Sequence, residues 1–297
     1  MSLEFTQRQK GLFFMLLGTF CFSCKGILIK FLYPYGADAL TVIGWRMTAV
    51  LPLYLIALFI RRSHLKSQNI KKNELINIGL LGCTGYYFAA YLDFSGLQYV
   101  SAGLERMIVF LYPTFVVLIN MIRERKLCSK KVALSLTLSY LGVLTVFSAD
   151  LDSTGPNQNL GSTLVLASAL VFGFYVVYAD HWMKKFSSQD FTTIAMISAC
   201  LLTLSHAWIS KGDTMLDYPP KFYLIASSLG FFCTFLPSYM ISYGIQKVGS
   251  SQASIFACLG PAFTIFVAYL SLGEQFGPVE MLGMAMTIIA SLIIGKK

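Results

Sequence analysis

Four basic residues lie inside long apolar segments of the sequence, where a charge is costly. They are Lys25, Lys30, Arg46 and Arg106. An ionisable group at membrane depth costs about 2.5–3.5 kcal/mol on insertion scales, so each should face a cavity or a partner. Asp93 and Glu105 also lie inside such segments and could form ion pairs with two of the cations. The spare positive charge would be neutralised by a carboxylate or phosphate group of a substrate.

Helical rise, counted from the start of each segment, places three of these cations at a similar depth. Lys25 lies about 21 Å above one end of a hydrocarbon core that is about 30 Å thick, and Arg46 and Arg106 lie about 10 and 8 Å below the other. We expect the three to converge on one polar, substrate-binding cavity. Lys30 lies nearer the end of its segment, where a lysine reaches the membrane interface.

Tyrosines at helical spacing are further candidates for substrate binding. Three pairs each share one helix face: Tyr87 with Tyr91, Tyr175 with Tyr178, and Tyr239 with Tyr243, and Phe94 continues the face of the first pair. Buried tyrosine hydroxyls need hydrogen-bond partners, which favours a polar centre. The same spacing is typical of packing between helices, and that alternative stays open.

Three prolines inside apolar segments are candidates for helix bends or gates. Pro113, Pro237 and Pro261 each lack a backbone N–H, so each is expected to leave a carbonyl group unpaired inside a helix.

Ten apolar segments must position these side chains, and about 20 residues suffice for a helix to cross a membrane. They run over Gly11–Phe31, Ala39–Ile60, Leu75–Tyr99, Ser101–Ile122, Val132–Ser148, Gly161–Trp182, Phe191–Ile209, Phe222–Gly244, Gly249–Leu272 and Phe276–Ile294. Only 12% of the residues are charged and 56% are hydrophobic, whereas soluble domains carry about 25% charged residues. The sequence therefore predicts an all-α integral membrane protein with ten transmembrane helices.

The net charge of +9 comes from basic residues that alternate between loops. Most lie at the termini or in the loops after the second, fourth, sixth and eighth segments, for example Arg61, Arg62, Arg125 and Lys126. The positive-inside rule places these loops and both termini in the cytoplasm. This topological explanation is favoured over binding of nucleic acid, and binding of lipid headgroups is the other alternative.

Motifs for catalysis or metal binding are missing from the sequence. No spacing fits a metal site, a phosphate-binding loop or a nucleophile motif, and loops of roughly 12–14 residues at most leave no room for a catalytic domain. We predict no enzyme activity, no cofactor and no metal.

An internal repeat divides the chain into residues 1–149 and 150–297. At a constant offset of 148, Gly96–Val100 (GLQYV) aligns with Gly244–Val248 (GIQKV), and Leu111–Phe115 (LYPTF) with Leu259–Phe263 (LGPAF). Each half holds five segments, an odd number, so the second half must enter the membrane in the opposite sense. Inverted repeats of this kind are typical of carriers that bind substrate at the repeat interface.

Motifs in both halves resemble the drug/metabolite transporter superfamily, specifically its ten-helix EamA-type branch. In the second half they are Gln246–Ile255, Leu259–Thr264, Leu272–Gln275 and Glu280–Gly283, and in the first half Lys30, Leu40–Arg46 and Gly96–Pro113. The chain departs from the family pattern after the fourth segment, where Arg125-Lys126 replaces a Gly-Glu pair. Gly273-Glu274 retains that pair after the ninth.

The resemblance implies a carrier for small metabolites in the bacterial inner membrane, commonly an exporter of amino acids or related compounds. We expect a secondary transporter that works by alternating access. The alternatives are exchange or uptake of a nucleotide-like or sulfonium metabolite, and a lipid-head-group flippase. A lateral groove open to lipid would favour the flippase, and an enclosed cavity would favour solute transport. The expected partners are a small-molecule substrate and membrane lipids; monomer and homodimer both stay open.

Overall fold

A computed structural model describes residues 7–67, 70–125, 130–150, 157–248, 259–274 and 277–295. Within these ranges the regular elements are helices. They are α1 (Gln7–Ser23), α2 (Lys25–Lys30), α3 (Ala39–Ser67), α4 (Lys72–Gly82), α5 (Ala89–Leu97), α6 (Ala102–Val109), α7 (Tyr112–Glu124), α8 (Lys130–Asp150), α9 (Gln158–Lys185), α10 (Ser188–Lys211), α11 (Pro220–Gly230), α12 (Leu236–Val248), α13 (Gly260–Leu272) and α14 (Pro278–Gly295). Short 3-10 helices cover Tyr33–Tyr35 and Gly212–Leu216, and π-helical turns cover Cys83–Phe88 and Phe231–Phe235.

Seven helical stretches of the described residues are long and apolar enough to cross a membrane. They are Gln9–Tyr35, Ala39–Leu65, Lys72–Leu97, Ala102–Arg123, Gln158–Met183, Ser188–Leu216 and Pro220–Ile241. The chain is therefore a multi-pass, all-helical membrane protein, as the apolar segments predict. The other three predicted spans, and with them the total of ten, stay predictions. They contain α8, α13 and α14, and residues 249–258 of the ninth lie outside the described residues.

Helix boundaries in the two halves repeat at the offset of 148. The helices α4 and α11 are both 11 residues long, and their first and last residues differ by this number. The same holds for α7 and α13, with 13 residues each. A π-helical turn follows both α4 and α11, at Cys83 and at Phe231. The repeat therefore extends to the N-terminal side of the residues whose sequences match.

Contacts between the halves come in exchanged pairs. Helix α1 of the first half packs against α12 of the second, and the corresponding helix of the second half, α9, packs against α5 of the first. The corresponding helices α3 and α10 pack against each other, as do α8 and α14. Such reciprocal contacts are those of two halves related by a pseudo-two-fold axis, the arrangement of inverted repeats.

Two of the three prolines begin helices and do not interrupt them. Pro113 and Pro261 occupy the second positions of α7 and α13, where a backbone N–H has no partner within the helix. The expectation that both remove an internal hydrogen bond is therefore wrong. Pro237 follows a π-helical turn directly, at the second position of α12. A fourth proline, Pro52, lies inside α3. Whether any proline acts as a gate stays a prediction.

The departure from the family motif leaves the backbone conformation unchanged. Gly273 ends α13 with a φ of 69°, and Arg125, at the matching position after α7, has a φ of 51°. The left-handed region costs a non-glycine residue roughly 1–2 kcal/mol. The turn after α7 therefore keeps its shape without glycine; Lys126 lies outside the described residues.

Candidate functional site

Five buried charged side chains from four helices meet inside the bundle. They are Lys25 on α2, Arg46 on α3, Asp93 on α5, and Glu105 and Arg106 on α6. Each is at most 7% exposed. Charged residues are almost never this deeply buried unless they have partners, so the group is either a structural ion-pair network or a binding site.

Lys25 binds both of the acids. Its Nζ forms a short ion pair with Asp93 Oδ2 and lies 3.2 Å from Glu105 Oε1. Gly26 gives Glu105 room, since a Cβ at this glycine would lie 3.1 Å from Glu105 Oε2. From the sequence, the two acids could have formed ion pairs with two different cations. In the structure, Lys25 forms ion pairs with both.

Aromatic rings link the three cations. The ring of Phe94 has Lys25 Nζ 5.8 Å and Arg46 Cζ 4.7 Å from its centroid. The ring of Phe22 similarly has Lys25 Nζ at 5.7 Å and Arg106 Cζ at 5.0 Å. Cation–π contacts of desolvated groups contribute about 2 kcal/mol each. The three cations therefore lie close together, and their depth in the membrane stays a prediction.

Three buried atoms of this cluster have unused hydrogen-bonding capacity. Within the described part of the chain, Arg46 Nε, Arg106 Nε and Asp93 Oδ1 have no hydrogen-bond partner. Arg46 also has no acid within ion-pair distance there, and its guanidinium contacts the ring of Phe94. A buried polar atom without a partner costs about 1–3 kcal/mol, more if charged. The guanidinium of Arg106 has a partner in Ser23 Oγ, so Arg46 and Asp93 are the points at which a polar ligand would gain most.

Arg106 forms no ion pair with an acid among the described residues, although it follows Glu105 in the sequence. Its Nη2 donates to Ser23 Oγ at 3.4 Å, and its guanidinium lies 5.5 Å from the centroid of Phe110. Neighbouring residues on a helix do not face each other. Gly260 of the second half packs on Arg106, because a Cβ there would lie 2.8 Å from Nη2.

Glu274 from the second half binds the N-terminus of α6. Its two carboxylate oxygens accept from the N–H groups of Ala102, at 2.9 Å, and Gly103, at 3.3 Å. Ser101 Oγ accepts from Leu104 N at 3.0 Å. An anion here satisfies free donors and the positive end of the helix dipole. Glu274 of the retained Gly-Glu pair thus contacts the other repeat, at the N-terminus of the helix that carries Glu105 and Arg106.

Loss of this contact has a measurable cost. Glu274→Ala should lower the free energy of unfolding by about 1 kcal/mol, the typical cost of a lost cap. Unfolding of the purified protein in detergent would measure it. Asp217→Ala, at an exposed acid in the loop before α11, is the control and should change stability by less than half as much. Equal effects of the two substitutions would contradict a capping role.

The described contacts of the six candidate tyrosines are with residues other than the five charges, and Tyr87 and Tyr91 stack on each other with ring centroids 6.3 Å apart. Tyr87 shares a hydrogen bond of 2.5 Å with His206 Nδ1, and Tyr175 donates to Tyr86 at 3.0 Å. Tyr239 shares one of 2.8 Å with Thr193. The others are Tyr243, which packs on Phe14, Tyr91, which is 36% exposed, and Tyr178, which is 38% exposed. These contacts of the tyrosines are those of helix packing, and their part in substrate binding stays a prediction.

One site residue, Phe22, was not singled out from the sequence; it lies three residues before Lys25. Phe94, which directly follows Asp93, was named there only as continuing the face of Tyr87 and Tyr91. Tyr33 fixes the backbone here by donating to the carbonyl oxygen of Phe94. An aromatic residue one helical turn from a buried lysine is the signal that could have found Phe22.

Ion pairs join α3 and α10 at both ends. At the basic end, Arg61 Nε lies 2.5 Å and His64 Nδ1 2.8 Å from the carboxylate of Asp190. At the other end, Lys211 Nζ lies 2.5 Å from Asp38. Burial raises the pKa of Asp38, but hydrogen bonds from Lys211 and Thr41 outweigh it and hold this pKa below its usual value. The two corresponding helices are thus fastened together on either side of the site.

Comparison with known proteins identifies the family. The model of the EamA-like transporter family matches residues 9–148 and again 159–296. The chain belongs to this family. The uncharacterized transporter YcbK of Bacillus subtilis (strain 168) is 27% identical to this EamA-like transporter over 277 residues, which are 92% of this chain and 88% of YcbK.

Two more comparisons bear on fold and substrate. An S-adenosylmethionine/S-adenosylhomocysteine transporter of Chlamydia muridarum (strain MoPn / Nigg) is 22% identical over 294 residues, 96% of this chain and 91% of that protein. A protein of known crystal structure superposes with a TM-score of 0.66 over 95% of each chain at 12% identity, which shows a shared fold alone.

Proposed function

We propose that this EamA-like transporter carries a small metabolite with an α-amino-acid head group, and exports it by alternating access. The observation that carries the proposal is that Arg46 Nε and Asp93 Oδ1 are both buried without a hydrogen-bond partner, as is Arg106 Nε, whose guanidinium otherwise donates to Ser23. Arg46 and Asp93 have opposite charge, and both adjoin Phe94, which lies under Arg46 and follows Asp93 in the chain. A zwitterionic head group has a carboxylate that can bind Arg46 and an ammonium group that can bind Asp93.

The carboxylate of the substrate would bind Arg46. A guanidinium presents its donors in a planar fork that matches a carboxylate. Three cations and two acids give the group a formal surplus of one positive charge. Lys25 binds both acids and Arg106 donates to Ser23, so Arg46 is the cation whose side chain forms no hydrogen bond with the described residues. The ammonium group of the substrate would bind the free oxygen of Asp93.

Transport would proceed by movement of one repeat relative to the other. The site fits this mechanism because its charges come from the first repeat, whereas Gly260 and Glu274 of the second pack on the same helix, α6. Relative movement of the repeats would therefore change the surroundings of Arg106 and Glu105. The family resemblance supports export as the direction.

A panel of related compounds tests the head group. We would measure thermal stabilisation of the purified protein by amino acids, by the matching amines without a carboxylate, and by the matching acids without an ammonium group. Only compounds with both groups should stabilise it and drive counterflow in proteoliposomes. Equal stabilisation by the amines would refute recognition of the carboxylate.

A sulfonium metabolite exchanged across the membrane is the second candidate. It is favoured by the similarity to the S-adenosylmethionine/S-adenosylhomocysteine transporter of Chlamydia muridarum. S-adenosylmethionine carries the same amino-acid head group, so both candidates use Arg46 and Asp93. Tighter binding of S-adenosylmethionine than of methionine would favour this candidate, and the reverse order would favour an amino acid.

Orientation in the inner membrane is a separate prediction. Cysteines at Asp213 and Asn73, both exposed, would be introduced after replacement of the seven native cysteines. With both termini in the cytoplasm, an impermeant thiol reagent should label Asp213→Cys in intact cells and Asn73→Cys only after lysis. Labelling of Asn73→Cys alone in intact cells would reverse the orientation.

A further inference from the structure

A lateral groove of about 830 Å³ opens on the outer surface of the bundle, away from the five buried charges. Its walls come from the C-terminal part of α3, the start of α4 and the first half of α10, including Leu58, Phe59 and Ile197. Phe59 is 75% exposed. All three walls belong to membrane-spanning stretches, so the groove faces hydrocarbon, and an acyl chain is the group available to fill it.

The end of the groove nearest the membrane surface holds a cation. Arg62 lines the groove, and within the described residues no acid lies within ion-pair distance of it. Its neighbour Arg61 is occupied, because Asp190 Oδ1 lies 2.5 Å from Nε and Gln189 Oε1 2.6 Å from Nη1. Arg62 is therefore the cation at this end that is left to bind an anion from the membrane.

We infer that this groove binds an anionic phospholipid, with an acyl chain against α3, α4 and α10 and the phosphate on Arg62. A guanidinium forms bidentate hydrogen bonds with phosphate. The bound lipid would lie against the two helices that Arg61 and Asp190 join, and would stabilise their contact. This inference is independent of the substrate proposed above.

The composition of the groove argues for a resident lipid and against a path for headgroups. Arg62 and Ser198 are the polar residues among those that line it, and the remaining lining residues are apolar. A headgroup that crossed the membrane would need polar groups along the whole depth. The groove contains none of the buried charges near Phe94, so its lateral opening does not support a flippase.

Lipid titration of the full chain tests the inference. The delipidated protein in detergent would be titrated with phosphatidylglycerol and with phosphatidylcholine of the same chain length, and binding followed by native mass spectrometry. Wild type should bind phosphatidylglycerol about fivefold more tightly, the ratio that corresponds to about 1 kcal/mol per basic residue at an anionic membrane surface. Arg62→Gln should abolish this preference.

Three further measurements decide the outcome. Arg123→Gln, at an exposed arginine at the end of α7, should keep the preference; an equal loss there would overturn the inference in favour of diffuse attraction. Ile197→Trp, which fills the groove, should weaken binding of both lipids, and unchanged binding would overturn the location. If labelled phosphatidylglycerol moved between leaflets faster than in empty vesicles, the inference of a resident lipid would be overturned in favour of a flippase.

Discussion

Arg46→Gln is expected to abolish recognition of the substrate carboxylate while the protein stays folded. Loss of one partner from a buried, hydrogen-bonded charge pair costs about 2 kcal/mol or more, which is a factor of about 30 in affinity. The protein should still fold, since Arg46 has no acid partner among the described residues that its loss would leave unpaired, and the described contact that is lost is the one with the ring of Phe94. Ligand-induced thermal stabilisation and counterflow would measure the effect.

Matched variants separate recognition from general damage. Arg46→Lys keeps the charge but loses the planar fork, so it should bind with intermediate affinity. Arg123→Gln removes an exposed arginine far from Phe94 and should behave as wild type. If folded Arg46→Gln bound the substrate with wild-type affinity, the proposed role of Arg46 would be contradicted.

Lys25→Met is expected to be the most destabilising of the substitutions at the site. It removes the cation shared by Asp93 and Glu105, which are 3% and 1% exposed. Removal of one side of a buried ion pair costs about 3–5 kcal/mol, because the remaining charge stays buried. The free energy of unfolding, measured by titration of the detergent-solubilised protein with a denaturing detergent, should fall by this amount.

A compensated variant distinguishes lost pairing from lost packing. In Lys25→Met/Asp93→Asn/Glu105→Gln no acid is left without its cation, so most of the stability should return. If the triple variant were as unstable as Lys25→Met, the loss would come from packing around Phe22 and Phe94. Little destabilisation in Lys25→Met itself would contradict a shared ion pair.

Helix geometry explains which parts of the site could be predicted from the sequence. The rise per residue is fixed at about 1.5 Å, so residue counts alone placed Lys25, Arg46 and Arg106 at one depth. The repeat could be recognised because Pro113 and Pro261 lie in matching motifs. A duplicated segment that keeps its length keeps such motifs at a constant offset. Depth and order along the chain are one-dimensional properties, and the sequence contains them.

The rotation of each helix about its axis could not be obtained in this way. It decides that Glu105 turns toward Lys25 while Arg106 turns toward Ser23. It also leaves Tyr91 and Tyr178 more than a third exposed, although both share helix faces with buried tyrosines. Arg61, which the sequence assigns to a loop, continues α3 and meets Asp190.

The two π-helical turns have a consequence for the lengths of related chains. A π-helical turn contains one residue more than a continuous α-helix of the same length would. Such turns lie at matching places in the two halves, at Cys83–Phe88 and Phe231–Phe235. Elsewhere in a helix, deletion of one residue rotates everything beyond it by about 100°. Within Cys83–Phe88 a deletion would instead restore a continuous α-helix and leave Asp93 on its present face. Gaps in alignments of this family should therefore be tolerated inside these two membrane helices, where gaps are normally forbidden.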